Sequence, residues 1–274
     1  MSKKILVTGA KGFLGRFVVD QIKDQIPLAT TLSKRSPFDK GDKALIDTDS
    51  VDLTRLEEVE KLKKSEFEEI VHIAGVTSKN KDKYPEGFEA NVNMMENMIK
   101  LAKVKNINRV IFISSNSVNY RTDEYANSKR HAEELLIKSG LEYVILRPTL
   151  ILGSASASTD KMKKWLNIMP FIPLPNRGET SFSPINPTDL AKLIVKVVES
   201  KNKGIYTVGG ERISYREYME KVAGKKLNIV NINSGLFLMI SKLCGLTTAR
   251  GMVSEIKTDN DKLKDIYGFL PSQE

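Results

Sequence analysis

The chain has 274 residues, of which 41% are hydrophobic and 28% are charged, and its formal net charge is +9. This composition predicts a globular protein with a substantial core, and the lack of any run of about 18 apolar residues excludes a transmembrane helix. The single cysteine, Cys244, excludes an internal disulfide, and no signal-peptide pattern opens the chain, so we expect a reducing, cytoplasmic location. The scattered lysines disfavour nucleic acid, and the positive charge favours a small anion such as a dinucleotide, unless it is only a solvated surface.

The first predicted element is a buried strand at residues 4–7, followed by a glycine-rich turn and a helix at 13–23. Gly9, Gly12 and Gly15 lie between the strand and the helix or at the start of the helix. Glycines at this spacing allow a tight turn, close approach of the backbone to a pyrophosphate, and close packing of the helix on the strand. The context favours a dinucleotide fingerprint over an ordinary turn between a strand and a helix.

A second strand is predicted at residues 28–32, and Lys34 and Arg35 follow it. In a dinucleotide fold this strand ends at the adenosine ribose, where an acidic residue suits NAD and a basic residue suits the 2′-phosphate of NADP. We therefore prefer NADP over NAD, with a solvated basic loop as the alternative interpretation.

Strands and helices continue to alternate up to Pro148, which predicts a doubly wound parallel sheet of the α/β class in residues 1–150. Ligands bind beyond the carboxyl ends of the strands of such sheets. The further predicted elements are a strand at 44–46, a helix from a Thr54–Glu57 capping box to 64, a strand at 69–73, a helix at 88–103, a strand at 109–113, a helix at 125–138 and a strand at 143–146.

Residues 151–274 are predicted to form a smaller α/β region, from which the chain crosses back to the main domain around 183–210. An apolar helix at 236–243 could touch a membrane surface, but we expect it to be buried against the main domain. The other predicted elements are a polar link at 154–159, an irregular proline-containing segment at 170–175, a helix at 187–198, a strand at 204–208, a helix from a Ser214–Glu217 capping box to 223 and a strand at 227–232.

Three residues form a candidate group for proton transfer to or from a substrate. Tyr125 and Lys129 are four residues apart and share one face of a helix, and Ser115 follows a neighbouring strand. An ammonium group favours the phenolate, so we expect Lys129 to lower the pKa of Tyr125 and make it a general acid or base. Ser115 can hydrogen-bond the substrate oxygen.

The sequence resembles the extended short-chain dehydrogenase/reductase superfamily, in its NAD-dependent epimerase/dehydratase branch, over nearly the whole chain. The resemblance implies a Rossmann fold, an NAD(P) cofactor and catalysis by Ser115, Tyr125 and Lys129. The matching motifs are Thr8-Gly9-x-x-Gly12-Phe13-x-Gly15, Asp52-Leu53, His72-Ile73-Ala74-Gly75, Asn91-Val92 through Asn97, Phe112-Ile113-Ser114-Ser115-x-x-Val118, Tyr125-x-x-x-Lys129, Leu146-Arg147-Pro148, Thr258-Asp259-Asn260 and Tyr267-Gly268-Phe269-Leu270-Pro271.

The resemblance also implies which residues contact the ligands. It implies a nucleotide-sugar substrate covered by the C-terminal region and a homodimer formed through helices 88–103 and 125–138, and it implies no metal. For the substrate it points to Thr77, Ser115 and Asn116, and to Arg177 at the diphosphate, where a surface arginine is the alternative. The implied cofactor contacts are Gly9, Gly12, Phe13, Leu14, Gly15, Asp52, Leu53, Ala74, Gly75, Asn91, Tyr125, Lys129 and Pro148.

The chain departs from the family pattern near the catalytic residues. Asn116 and Ser117 stand where dehydratases carry acidic partners, so we expect reduction or epimerisation at C4 of the sugar rather than dehydration. Only ten residues separate Ser115 from Tyr125, which predicts a trimmed lid. A ketoreductase of a small non-sugar carbonyl therefore remains an alternative, and a non-catalytic NADP-binding scaffold or sensor is another.

Overall fold

The structure is a computed structural model, and it describes residues 4–22, 28–32, 48–64, 67–78, 80–153, 156–243, 249–253 and 255–272. Lys34, Arg35, Cys244 and the strand predicted at 44–46 lie outside the described residues. Within the described ranges, no helix combines the length and the apolar character needed to cross a bilayer.

The strands and helices of the first half follow the predicted order, except that no strand was predicted at Thr48–Ser50. In chain order they are β1 (Ile5–Thr8), α1 (Phe13–Ile22), β2 (Leu28–Leu32), β3 (Thr48–Ser50), α2 (Leu56–Val59), β4 (Glu69–His72), α3 (Ala90–Val104), β5 (Arg109–Ile113), α4 (Glu124–Lys138) and β6 (Glu142–Pro148).

The second half contains shorter elements. They are α5 (Ser156–Ile168), β7 (Ile172–Pro175), β8 (Ser181–Phe182), α6 (Pro187–Glu199), β9 (Gly204–Val208), β10 (Ile213–Ser214), α7 (Tyr215–Ala223), β11 (Ile229–Ile232), α8 (Ser234–Leu243), α9 (Ala249–Val253) and α10 (Asn260–Tyr267).

In the described part of the chain, seven parallel strands form one sheet in the order β3-β2-β1-β4-β5-β6-β9. Val7 of β1 pairs with Thr30 on one side and with Val71 on the other. The strand order reverses between β1 and β4, and this reversal places a ligand crevice at the carboxyl ends of these strands. The predicted doubly wound Rossmann sheet is thereby confirmed.

Helices cover both faces of the sheet because neighbouring side chains of each strand point to opposite sides. Val7 packs in a buried cluster with residues of α1 and α6, such as Val18 and Leu190. Leu6 packs in a second cluster with residues of α3 and α4, Met98 among them. All five of these side chains are essentially buried, and burial of each stabilises the fold by about 1.5–3 kcal/mol.

The second half returns to the sheet and also builds a separate cluster. Helix α6 packs on α1, and β9 pairs with β6. Helices α5, α7 and α8 surround a third buried cluster that includes Leu166, Ile172 and Phe237. The expectation that α8 is buried against the main domain is wrong, because Phe237 is buried in this third cluster and, apart from Phe237 and Ser241, the residues of α8 are not buried.

Three local predictions were wrong. Residues 156–159 open helix α5 rather than forming a link. The proline segment contains β7, whose only partner among the described strands is β11, so prolines on its other side need not interrupt a ladder of hydrogen bonds. The capping box at Thr54 does not form, because the Thr54 N–H and hydroxyl both donate to Asp52 Oδ1 at 3.1 and 2.7 Å. The helix there begins at Leu56, whereas the capping box predicted at Ser214 is present.

Candidate active site

The turn between β1 and α1 depends on glycines that let backbone segments touch. Gly9 has a φ of +72°, and a Cβ on it would lie 2.7 Å from the nitrogen of Ala74. A Cβ on Gly15 would lie 2.1 Å from the Gly9 carbonyl oxygen, to which the Gly12 N–H donates at 2.8 Å. The first N–H groups of an α-helix have no acceptor within the helix, so the start of α1 forms a backbone cradle that fits a pyrophosphate.

Phe13 and Leu14, both predicted as cofactor contacts, follow Gly12 at the start of α1 and differ in their exposure. Leu14 is buried in the core beneath the turn, and Phe13 is 40% exposed. A Cβ on Gly153, in the loop after β6, would lie 3.3 Å from the Phe13 ring. The Phe13 ring therefore connects the cradle to the second half of the chain.

A buried histidine ties the end of β4 to β1. The Thr8 hydroxyl lies 2.8 Å from Nδ1 of His72 and accepts hydrogen bonds from the N–H groups of Ile73 and Ala74, each at 3.2 Å. Burial, with a smaller contribution from the Lys129 ammonium, lowers the pKa of His72 to about 3. His72 is therefore neutral at ordinary pH and fixes the loop that meets Gly9.

The residues predicted at the adenine end lie in the loop after β3. Asp52 is buried, and its N–H donates to Glu58 Oε2 at 2.8 Å. The Leu53 carbonyl accepts a hydrogen bond from Asn97 Nδ2 at 2.9 Å. These contacts hold the loop in place beyond the carboxyl end of its strand, where an adenine would lie.

The structure brings Ser115 and Tyr125 close together. Ser115 follows β5, and Tyr125 lies in the first turn of α4, whose N-cap, Asp123, accepts the N–H of Ala126 at 3.1 Å. The Ser115 hydroxyl lies near the Tyr125 phenol and lowers its pKa. Ser115 Oγ also accepts the N–H and the hydroxyl of Ser117 at 3.2 and 3.0 Å. Two hydroxyl groups thus converge beside the cavity described below.

Lys129 lies one helical turn beyond Tyr125 and is 4% exposed. Its Nζ donates to the Ile113 carbonyl at 3.3 Å, and a Cβ on Gly75 would lie 3.0 Å from this Nζ. The small residue at position 75 therefore leaves room for the ammonium at the end of β4. Burial lowers the pKa of Lys129 to about 8, and the carboxylate of Glu133 opposes this shift.

The direction of the Tyr125 pKa shift differs from the prediction. Burial raises the pKa of Tyr125, and it outweighs the opposing effects of the Ser115 hydroxyl and the Arg121 guanidinium. The expectation of a lowered pKa is therefore wrong, because burial of the phenol destabilises the phenolate. Tyr125 holds its proton at neutral pH.

A buried ion pair connects helix α4, which carries Lys129, to the end of strand β6. Arg147, at the end of β6, donates from Nε to both carboxylate oxygens of Glu133 at 3.0 and 3.2 Å and from Nη1 to Asn119 Oδ1 at 3.0 Å. Glu133 is 2% exposed and lies one turn after Lys129. The Arg147 contact was not predicted, because the two residues are distant in sequence.

A cavity of about 400 Å³ opens beside Ser115. Asn116 and Pro148, both predicted as site residues, line it. Aromatic side chains that the sequence did not indicate line it as well, and two of these rings stack with centroids 4.3 Å apart. The aromatic residues are Tyr120, Phe182, Tyr215 and Tyr218, of which Phe182 and Tyr215 form the stack. The positions of Tyr215 and Tyr218 on one helix were visible in the sequence, but only packing shows where that helix points.

Three predicted residues have other surroundings. The Thr77 N–H donates to Asn80 Oδ1 at 2.7 Å, and Thr77 is exposed and does not line the cavity. Arg177 is also exposed and outside the cavity lining, in a turn after β7 with a φ of +52°. Asn91 is buried, and its amide bonds the backbone of Val76 and the hydroxyl of Ser128.

Comparisons with known proteins concern the family and the fold. A model of the NAD dependent epimerase/dehydratase family matches residues 5–209. A UDP-glucose 4-epimerase from Vibrio cholerae is 26% identical over 308 residues, which cover 100% of this chain and 92% of that protein.

Solved structures share the fold. The UDP-glucose 4-epimerase of Thermus thermophilus in complex with NAD is 19% identical, with a TM-score of 0.70 over 98% of this chain and 94% of that one. RMD from Pseudomonas aeruginosa complexed with NADPH is 16% identical, with a TM-score of 0.65 over 99% of this chain and 95% of that one.

Proposed function

The chain belongs to the NAD dependent epimerase/dehydratase family, and we propose that it catalyses hydride transfer at C4 of a nucleotide sugar with Ser115, Tyr125 and Lys129 as its catalytic residues. The observation that carries the proposal is that Ser115, which lines the cavity, lies near enough to the Tyr125 phenol to lower its pKa. This proximity of a proton donor and a second hydroxyl supports contact of both with one substrate oxygen.

The cofactor that fits the glycine cradle supplies or accepts the hydride when bound. Ser115 hydrogen-bonds the substrate oxygen at C4, and Tyr125 transfers a proton to or from the same oxygen. The Lys129 ammonium donates a hydrogen bond to the Ile113 carbonyl. Its positive charge stabilises negative charge that develops on the substrate oxygen and on the Tyr125 oxygen. Because Tyr125 keeps its proton at neutral pH, it is prepared to act as a general acid when a C4 carbonyl is reduced.

The cavity supports a nucleotide sugar rather than a small ketone. Its volume of about 400 Å³ lies within the range of pockets that enclose complete ligands. Aromatic rings such as the stacked pair of Phe182 and Tyr215 offer apolar faces on which a sugar ring or a base can pack. The name of the Vibrio cholerae relative supports the same substrate class.

We further propose that the two parts of the chain bind different ligands. Residues 1–150 bind the cofactor, and residues 151–274 provide most of the substrate contacts, since Met162, Phe182, Tyr218 and Met252 line the cavity. Binding of the diphosphate by Arg177 stays a prediction. NADP remains our preferred cofactor on the basis of Lys34 and Arg35.

The first test is cofactor content followed by separate NADPH and NADH titrations of the purified protein. NAD that survives purification would indicate an epimerase that recycles its hydride, and a protein that binds NADPH well and NADH poorly would indicate a reductase. Binding of neither cofactor would contradict the proposal.

The second test is Tyr125→Phe, assayed by reduction of 4-keto nucleotide sugars and by interconversion of UDP-glucose and UDP-galactose. Loss of a positioned proton donor lowers kcat by about 10²–10⁴-fold. Tyr143→Phe in β6, away from the cavity lining, is the matched control and keeps full activity. A Tyr125→Phe protein as active as the wild type would refute the assigned role.

A further inference from the structure

Helix α8 exposes its apolar side to solvent. Two of the exposed residues are adjacent and the others lie three or four positions from them, so all four form one stripe along the helix. Only Phe237 and Ser241 of this helix are buried. The stripe consists of Leu236, Met239, Ile240 and Leu243, which are 46%, 56%, 43% and 81% exposed.

A second group of exposed apolar residues lies on elements that pack around the same buried cluster as α8. Trp165, Ile168 and Phe171 are 46%, 80% and 48% exposed, at the end of α5 and just before β7. Helix α8 packs against β7, and its Phe237 shares a buried cluster with residues of α5 and β7. Together, the stripe on α8 and these three residues are called the apolar face below.

Basic residues outnumber acidic ones around the apolar face, although Asp160, Glu179, Glu220 and Glu255 flank its two segments and Glu220 pairs with Lys226 at 2.7 Å. Residues 161–178 include Lys161, Lys163, Lys164 and Arg177 and no aspartate or glutamate. Residues 221–254 include Lys221, Lys225, Lys226, Lys242 and Arg250 and again no acidic residue. Lys163, Lys164 and Lys242 are exposed beside the apolar residues, and Lys225 reaches the carbonyl of Asn167 at 3.4 Å, which links the two segments.

We propose that the apolar face docks on the surface of an anionic lipid bilayer, with α8 lying in the plane of the interface. Exposed leucine, isoleucine, phenylalanine and tryptophan surrounded by cations are the features of an interfacial binding surface. Tryptophan, as at position 165, favours the headgroup level. A second copy of the chain is a poorer occupant, because two such faces would bring like charges together.

The experiment is cosedimentation of the full-length protein with sucrose-loaded vesicles of phosphatidylcholine alone or with about one third phosphatidylglycerol. We expect binding to the anionic vesicles, little binding to the neutral ones, and weaker binding in 0.5 M than in 0.1 M NaCl, because salt screens the lysines. Leu243→Glu removes a large apolar contact and adds a charge of the same sign as the lipid, so it weakens binding about tenfold or more.

The matched control is Leu270→Glu, which makes the same change at a residue that is 68% exposed outside the apolar face. It keeps the binding of the wild type, and both variants keep its thermal unfolding midpoint and its cofactor binding. The proposal fails if anionic vesicles do not bind the protein or if the two variants lose binding equally. It also fails if light scattering shows a dimer that Leu243→Glu dissociates and the vesicles bind neither protein, since the face would then be an interface between protein chains.

Discussion

Replacement of Lys129 by methionine is expected to make the protein more stable and less active. Lys129 is 4% exposed, and its pKa falls from 10.5 to about 8 because burial disfavours its charged form. A difference of this size corresponds to about 3 kcal/mol at roughly 1.4 kcal/mol per pKa unit. Methionine removes the buried charge and fills most of the same volume, at the cost of the 3.3 Å bond to the Ile113 carbonyl. We therefore expect the free energy of unfolding at pH 7 to rise by about 1–3 kcal/mol.

The pH dependence tests the cause of this difference. Below pH 8 the amine is protonated in both the folded and the unfolded protein, so the full penalty of the buried charge acts on the wild type. Between pH 8 and about 10.5 the folded protein releases the proton first, so the unfolded state binds more protons and wild-type stability rises with pH relative to the variant. The stability gap between Lys129→Met and the wild type is thus largest below pH 8 and closes toward pH 10.5.

Urea unfolding followed by far-ultraviolet circular dichroism, at several pH values from 7 to 10, measures the gap. Lys138→Met, on the same helix with 77% of its side chain exposed, is the control and changes stability by no more than about 0.5 kcal/mol. In parallel, Lys129→Met should lower the rate of hydride transfer by about 100-fold or more, as loss of a catalytic charge does. A Lys129→Met protein that is less stable than the wild type at pH 7, or a gap that does not change with pH, would refute the reasoning.

Three further predictions concern the surroundings of the site. Gly15→Ala should weaken cofactor binding in a fluorescence titration and destabilise the fold by about 1–3 kcal/mol, because its Cβ would lie 2.1 Å from a carbonyl oxygen of the turn. The control is Gly140→Ala, at a position with a φ of +80° and no atom within 4 Å of the added Cβ. This variant should lose only about 1 kcal/mol of stability and keep its cofactor binding unchanged. Glu133→Gln should lower the free energy of unfolding by about 3–5 kcal/mol in denaturant titrations, because Arg147 loses a buried anionic partner, and an unchanged midpoint would contradict this. The ring protons of His72 should show no titration by NMR between pH 5 and 8, and its contribution to stability should fall as the pH drops from 6.5 toward 3, since only the unfolded state takes up the proton there.

The parts of the fold that follow local rules were predictable from the sequence. The spacing of Gly9, Gly12 and Gly15 after a buried strand indicated the turn, and the structure shows why each backbone approach needs a small residue. The spacing of Tyr125 and Lys129 placed both on α4 before any contact was known. Periodicity and capping residues depend on neighbours within a few positions, so they can be read from the chain itself.

What depends on distant contacts could not be predicted. The sequence shows that Tyr215 and Tyr218 share a helix, but the aromatic cavity forms only when α7 packs beside the end of β5. The sign of the Tyr125 pKa shift depends on how deeply the phenol is buried, which no sequence spacing reveals. Helix α8 was expected to hide its apolar stripe because burial is the usual reason for such a pattern, whereas here Phe237 alone provides the large buried contact.

Two departures from stable design lie where the chemistry is proposed. Gly9 adopts a backbone conformation that other residues rarely tolerate, and Lys129 buries an amine that water would solvate better. Neither feature helps the sheet to fold, and the core clusters on both faces of the sheet stabilise the chain despite them. A buried amine costs stability, so the presence of Lys129 near Tyr125 and Ser115 favours an enzyme over a scaffold that only binds the cofactor.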